Sequence, residues 1–600
     1  MPRRTLGYEA EPPVPARRQR TGPARVVSDA ACLPWPSLDN AAIAVEPLEP
    51  GSLVQLRPDG PLLTVASALL EGHRFASRAI ATGELLLSWG EPFGRALRPI
   101  SPGEWLVNRE VLAVLHARGL GTEVHHPNFE NYVKPAVLHE SSFVAGTRLP
   151  LTRASATFDG FVRPDGRGAG TRNYLVLLAL SSRVGAFARA LEQRLRSLPD
   201  GAACEGFDGV VALPHTEDGS AATTAGAPAA TAAANHEHLV RTLLGLIIHP
   251  NVGAAVVLQS SEDVAAAAAG RGVSYATIEA AAADLGHADR LAGTPHVVRT
   301  LPLHEFGEEL AAAADAAAKL LPALRRVTRQ SCAACALVVA QQCGGSDAFS
   351  GTAANPLLAD ASKLLIEAGG ERPARPALHL PVSHARMRMA LAHGRSQLVR
   401  DARLTMRPPA VLSLSGSALL AETDELIGAE QYVLQNVADL PTARRFLSQV
   451  RRFRQYADDH HTSAEGNPSG GNMLRGLYNI ALKSLGAAMK RHPLVRLERV
   501  IEYAERLPIP TQPDGADGEA VAPDAAQSDL PAASGASISR AAFGGCVGAG
   551  YCFMDSPGND LESIAGQVAA GCNVICKPPR TQTKASALSA TPPAARRPPR

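Results

Sequence analysis

Between Phe158 and about residue 370, apolar runs alternate with stretches whose apolar residues recur at helical spacing. Tyr174 to Leu180 is a continuous apolar run suited to a strand buried on both faces, and Phe187, Leu191 and Leu195 follow it three to four positions apart. Val210 to Leu213 and Ala255 to Leu258 repeat the strand signal on either side of the helical run Leu239 to Ile248. This alternation predicts a parallel α/β sheet. In such sheets ligands sit beyond the carboxyl ends of strands, where His215-Thr216-Glu217 and Cys343 to Asp347 fall.

Upstream the pattern is different. From about Asp39 to Val107, short apolar runs (Ala41 to Val45, Leu62 to Ala66, Leu85 to Ser88) are broken by glycine turns, which predicts a small β-rich domain over 38–110. Residues 111–157 read as a connecting segment, and 158–370 as an α/β domain. Residues 419–510 and 538–576 read as two further parts of a catalytic region. The fold class expected is therefore α/β, with a small N-terminal β domain ahead of parallel-sheet α/β domains.

Four segments fall outside these patterns. Residues 1–37 are rich in Arg and Pro without an apolar core, which excludes a secretory signal and suggests a disordered leader, leaving an organellar transit peptide open. Residues 371–418 carry many Arg, only two acidic residues up to Ser417 and three of the seven Met, as an inserted surface loop or a translated non-coding segment would. Residues 511–537 read as an acidic linker and 577–600 as a disordered tail.

Composition narrows the function. A chain of 600 residues allows two or three domains, and a net charge of +2 without an aromatic-interleaved basic stripe argues against nucleic-acid binding. No apolar run approaches the roughly 18 residues of a membrane span. Nine irregularly spaced cysteines make a poor disulfide framework, so a reducing, cytoplasmic setting is expected. The partner expected is a small molecule, with a homo-oligomer left open.

The chemistry concentrates in three glycine-hinged polar stretches. Cys343-Gly344-Gly345-Ser346-Asp347 leads through Asn355-Pro356 into a helical pattern; glycines permit sharp turns, and a helix start offers free N–H groups to an anion. Glu465 to Asn472, with Asn467 and Asn472, precedes the helical run Leu477 to Met489, which carries Lys483. Asp555-Ser556-Pro557-Gly558-Asn559-Asp560 sets two carboxylates five positions apart on a turn, where both can face one cation. Each also has a plain structural reading, as turn chemistry, a helix cap or a solvated surface.

These motifs together carry a family resemblance. Gly160-Phe161-Val162-Arg163-Pro164-Asp165-Gly166-Arg167 with Gly170-Thr171-Arg172-Asn173, His215-Thr216-Glu217, His249-Pro250-Asn251-Val252 and Cys343 to Pro356 come in the order and approximate spacing of the altronate and galactarate dehydratases. Glu422-Thr423, Glu425 to Glu430, Asn467 to Asn472, Lys483-Ser484-Leu485-Gly486 and Asp555 to Asp560 continue it. The N-terminal unit, with Gly72-His73-Arg74-Phe75-Ala76, resembles that family's small β-clip (SAF) domain. The chain departs from the family pattern after Ile575 and at Leu106-Val107-Asn108-Arg109.

The resemblance implies a metal-assisted elimination of water from a sugar acid to a 2-keto-3-deoxy acid, with Fe(II) or another divalent metal as cofactor. Its expected catalytic residues are His73, His215, Glu217 and Lys483. Ser346, Asn355, Asn467 and Asn472 are expected to bind substrate, and Cys343, Asp347, Glu430, Asp555 and Asp560 to hold metal. An iron–sulfur cluster is not expected, since no fourth cysteine lies near Cys332-x-x-Cys335 and Cys343. Two alternatives stay open: expulsion of sulfite from a sulfolactate-like acid, and an inactive homologue that keeps the pocket.

Overall fold

The computed structural model describes residues 26–27, 30–57, 60–120, 126–150, 157–163, 165–217, 229–302, 306–342, 344, 346–367, 416–459, 461–463, 467–507 and 550–577. The insertion expected over 371–418 lies outside them except for Gly416, Ser417 and Ala418, the last two of which belong to a strand. The linker expected over 511–537 and all but the first residue of the expected 577–600 tail also lie outside.

Among the described residues the small domain is built from nine short strands: β1 (Val26–Val27), β2 (Ala31–Cys32), β3 (Ala41–Ala44), β4 (Leu53–Gln55), β5 (Leu62–Thr64), β6 (Arg74–Ala76), β7 (Leu85–Ser88), β8 (Glu91–Ala96) and β9 (Phe129–Asn131). They form three sheets, ordered β1-β4-β5, β2-β3-β6 and β7-β8-β9. Two boundaries differ from the sequence reading. The domain starts inside the expected leader, because β1 pairs with β4 and β2 with β3; the expected connector supplies β9, which pairs with β8. Strands of two or three residues are too short for a period-2 signal, and only pairing partners define them.

A second domain follows. The strands β10 (Thr157–Arg163), β11 (Gly168–Gly170) and β16 (Gln330–Ala333) make a small antiparallel sheet. Beside it, β12 (Tyr174–Ala179), β13 (Gly209–Leu213), β14 (Val252–Ser260) and β15 (His296–Leu301) form a parallel sheet ordered β13-β12-β14-β15. Its central strands are apolar from Leu175 to Ala179 and from Val252 to Leu258 because helices cover both faces. Phe187, Leu191 and Leu195 of helix Gly185–Arg196 pack on one face, and Val240, Leu243, Leu244 and Ile247 of helix Ala229–Ile247 on the other.

The C-terminal module holds a second parallel sheet, ordered β19-β20-β18-β17-β21, from β17 (Val338–Gln341), β18 (Ser417–Leu420), β19 (Leu497–Ile501), β20 (Gly550–Met554) and β21 (Val574–Cys576). The stretch 158–370 thus spans one parallel sheet and opens the next.

The small domain docks on this module rather than on the second domain, its neighbour in sequence. One apolar core runs from Phe75, Phe93 and Phe129 into Tyr478, Leu482 and Phe553. Burying each such side chain contributes roughly 1.5–3 kcal/mol, so the two units are fastened together by their interiors. Glycines allow the closest approach. A Cβ on Gly476 would lie 1.9 Å from the Gly72 carbonyl oxygen, and one on Gly72 would lie 2.7 Å from that of Arg475. Both have a left-handed φ, +86° at Gly476 and +84° at Gly72, which favours glycine. Among the described residues no helix is long and apolar enough to cross a membrane.

Candidate active site

All five strands of the C-terminal sheet run the same way, so their carboxyl ends deliver polar residues to one edge: Gln342 after β17, Glu422 to Glu425 after β18, Glu502 after β19, Asp555 to Asp560 after β20 and Lys577 after β21. The buried Gln342 amide joins three of these ends. Its Nε2 donates to Glu422 Oε1 and, at 3.1 Å, to Asp560 Oδ1, while its Oε1 accepts the Ser563 hydroxyl at 3.0 Å. Glu422 has a φ of +78°, an uncommon conformation for a residue with a side chain, and its N–H is held by Ser556 Oγ at 3.1 Å.

The turn after β18 carries a buried ion pair. Lys483 Nζ lies 2.7 Å from Glu425 Oε1 and 3.3 Å from Asn467 Oδ1, so one ammonium ties this turn to the 467–472 loop. Next to it, Asp424 lies against Gly558, where a Cβ would come within 2.2 Å of Asp424 Oδ2. Asp424 Oδ1 is buried without a hydrogen-bond partner among the described residues. Burial, and then the charge of Glu425, push the Asp424 carboxyl up to about 6.

The motif after β17 reaches the same place. Asn472 Nδ2 donates to the Ser346 carbonyl at 2.8 Å, and Ala348 N–H to the Arg475 carbonyl at 3.2 Å. Asp347 accepts the Ser350 N–H at 2.7 Å and its hydroxyl at 2.9 Å. Ser350–Ala354 form a π-helical turn, a local widening frequent at functional sites, before helix Asn355–Glu367. Ser346, Asp347, Asn467, Asn472, Lys483, Asp555 and Asp560 therefore line one arc.

Other expected residues serve elsewhere. His73 is sealed between the small domain and the C-terminal module. Its Nε2 meets the Leu474 carbonyl at 3.1 Å and its Nδ1 the Tyr478 hydroxyl at 3.1 Å. A carbonyl only accepts, so Nε2 carries the proton and Nδ1 accepts from Tyr478. Burial drives the imidazole down to about 4, and no face of it is open to a substrate. His215 and Glu217 stand at the edge of the other parallel sheet: His215 Nε2 donates to the Ala179 carbonyl at 2.9 Å, and the Glu217 carbonyl accepts the Ser182 N–H at 2.6 Å. Asn355 clamps the Gly486 carbonyl at 2.8 Å.

The expected metal set does not converge. Cys343 lies outside the described residues, and no three of the described His, Cys, Asp and Glu side chains group closely enough to hold an ion. Cations and hydrogen bonds of the chain already engage the carboxylates. Asp555 binds Thr423 Oγ1 and Arg452, Asp560 binds Gln342 and Lys577, and Glu430 binds the Gly428 N–H at 2.8 Å and Arg454 at 2.7 Å. Cys332 lies buried on β16, on a different sheet from β17.

Sequence reasoning missed Gln342, Asp424, Arg452 and Lys577 as members of this edge. Gln342, Asp424 and Lys577 lie within five residues after a strand, the position the parallel-sheet rule marks; Arg452, inside helix Leu440–Asp459, carried no such signal.

Three family models match the chain in order. They are the Altronate/galactarate dehydratase SAF domain at residues 31–113, the D-galactarate dehydratase/Altronate hydrolase second domain at 160–325, and the D-galactarate/Altronate dehydratase C-terminal domain at 334–374 and 408–540. The chain belongs to the altronate/galactarate dehydratase family. As a member of this family of carbon–oxygen hydro-lyases it is similar to the altronate dehydratase of Escherichia coli K12, at 26% identity over 90% of this chain and 81% of that one. It is 25% identical to the galactarate dehydratase (L-threo-forming) of the same organism, over 75% of this chain and 70% of that one. The beta subunit of (2R)-sulfolactate sulfo-lyase from Chromohalobacter salexigens is 24% identical over 60% of this chain and 69% of its own length.

Proposed function

We propose that this chain eliminates water from an altronate- or galactarate-like sugar acid to give a 2-keto-3-deoxy acid. The observation that carries the reading is the buried Lys483–Glu425 pair, joined to Asn467 at the carboxyl edge of the C-terminal sheet. The proton alpha to a carboxylate is weakly acidic, so its removal needs a base, a cation near the developing enolate and an acid for the departing hydroxide. Lys483 supplies the cation, with Asn467, Asn472 and Ser346 placed to hold substrate hydroxyls. Asp424, whose carboxyl burial pushes up to about 6, keeps a protonated fraction available for delivery to the leaving group.

A bound Fe(II) would supply Lewis-acid stabilisation of the enolate. The described side chains do not form its coordination sphere.

The test is keto-acid production from a panel of hexonates and hexarates, run anaerobically with and without added Fe(II), beside Lys483→Met and Asp347→Ala. Turnover lost in both variants supports the reading, and its dependence on Fe(II) decides the metal. Absence of keto acid from folded protein in all cases overturns it; sulfite release from sulfolactate would then assign the sulfur-expelling reaction.

A further inference from the structure

The second domain reaches the arc through one helix. Helix Ala229–Ile247 lies beside helix Asp560–Ala569 of the C-terminal module. Gly245 sits against the Ala569 carbonyl, where a Cβ would come within 2.4 Å of the oxygen. Two turns earlier, the His238 ring packs on Tyr503 with ring centroids 5.4 Å apart, and the Tyr503 hydroxyl donates at 2.6 Å to the carbonyl of Glu562, two turns before Ala569. The helices therefore run side by side in the same direction, and the leading half of Ala229–Ile247 lies toward Asp560.

These contacts put His238 at the Asp555 end of the arc. Tyr503 follows Glu502, whose carboxylate binds Arg452 at 2.6 Å, and Arg452 in turn binds Asp555. The Asp555 N–H is held by the Ile501 carbonyl at 3.0 Å, and Arg241 NH1 donates to the Tyr503 carbonyl at 3.1 Å. Tyr503 takes one face of the half-buried imidazole, but neither ring nitrogen has a hydrogen-bond partner among the described residues. The cations around it are committed, Arg452 to Glu502 and Asp555, and Arg241 to Glu237 at 2.7 Å. Burial, then the charge of Arg241, hold the imidazole below its ordinary value against the pull of Asp555, so the ring is neutral at pH 7.

We infer that His238 is a substrate-contacting residue contributed by the second domain, holding the terminal hydroxyl of a hexonate at the end of the arc away from Lys483. The inference rests on the dehydratase reading of this site and narrows its substrate class. In the sheet, β19, which delivers Tyr503, lies two strands from β18, which delivers Glu425 and its partner Lys483. That span is roughly 10 Å, on the scale of an extended six-carbon acid. A neutral ring that donates at one nitrogen and accepts at the other suits a hydroxyl. The second carboxylate of a hexarate would instead face Asp555 and Glu502 without an uncommitted cation beside it.

The experiment compares altronate with galactarate on the full chain, by keto-acid production where the parent turns over and by calorimetric binding where it does not. The parent should favour altronate. His238→Phe keeps the packing on Tyr503 and removes both nitrogens; it should raise KM or Kd for altronate roughly tenfold, with kcat and melting temperature nearly unchanged. His238→Gln, which returns a donor and an acceptor, should recover part of the loss, and it is read in place of His238→Phe if the latter melts lower than the parent. Altronate-selective binding that depends on His238, with no keto acid from either substrate, fails the proposed reaction and leaves the site assignment standing. A parent that favours galactarate or binds neither acid, or His238 variants that match the parent, overturns the inference.

Discussion

Lys483 Nζ stands 2.7 Å from Glu425 Oε1, with both side chains more than nine-tenths buried. A buried pair of this kind gives a double-mutant signature that separates stability from catalysis. Removing one partner leaves an uncompensated charge, at a cost of roughly 3–5 kcal/mol, whereas replacing both is often near neutral. Lys483→Met and Glu425→Gln should each lower the denaturation midpoint, and the double variant should recover most of it. Turnover should stay at least about 100-fold down in all three if the ammonium serves the reaction; recovery of turnover with stability would make the pair purely structural.

Asp424 gives a pH signature of its own. Its folded-state carboxyl is raised to about 6 from 3.8, so the stabilising neutral form is fully present below pH ~4 and is lost as pH rises through about 6. Asp424→Asn should flatten the stability profile in that window by on the order of 1–3 kcal/mol. Urea midpoints from pH 4 to 7.5 measure this. An unchanged slope would show that Asp424 titrates normally.

His73 has the opposite sign. Its imidazole is depressed to about 4, so its contribution is present above pH 6.5 and fades as pH falls through about 4. Acidification across that range should loosen the docking of the small domain, read out as faster proteolysis within residues 111–157. Tyr478→Phe, which removes the proton given to Nδ1, should shift the onset to higher pH and cost about 1–3 kcal/mol at neutral pH.

The Gly72–Gly476 approach predicts severe effects from minimal side chains. Gly476→Ala puts a methyl group 1.9 Å from the Gly72 carbonyl oxygen at a φ of +86°, and destabilisation above about 2 kcal/mol is expected by thermal melting. Gly83→Ala is the control. It has a φ of +80° with nothing within 4 Å, so it should show the conformational strain alone.

What the sequence made legible followed from local rules. Tyr174 to Leu180 could be read as a strand because a parallel strand covered on both faces has no polar alternation. The polar loops could be read because glycine and Asn mark turns without help from tertiary structure. His73 could not, since the carbonyl that fixes its tautomer lies 401 positions away. Asp555 and Asp560 looked like an open pair of carboxylates, and only the fold brings Arg452 and Lys577 onto them. Val26 and Val27 looked like leader because their strand exists only through Leu53 and Val54.

The docking of the small domain also sets a clock for biosynthesis. The Arg74 guanidinium donates to the Gly476 carbonyl, 402 positions further along, and its own N–H to the Tyr478 hydroxyl. At typical elongation rates a ribosome needs roughly 20–80 s to cover that distance. For that interval the nascent small domain presents an arginine and an aromatic face made for an interior that has not yet been synthesised. The emerging chain is therefore exposed to aggregation and to chaperone capture until the segment carrying Gly476 and Tyr478 appears, although the domain that waits is made well before it.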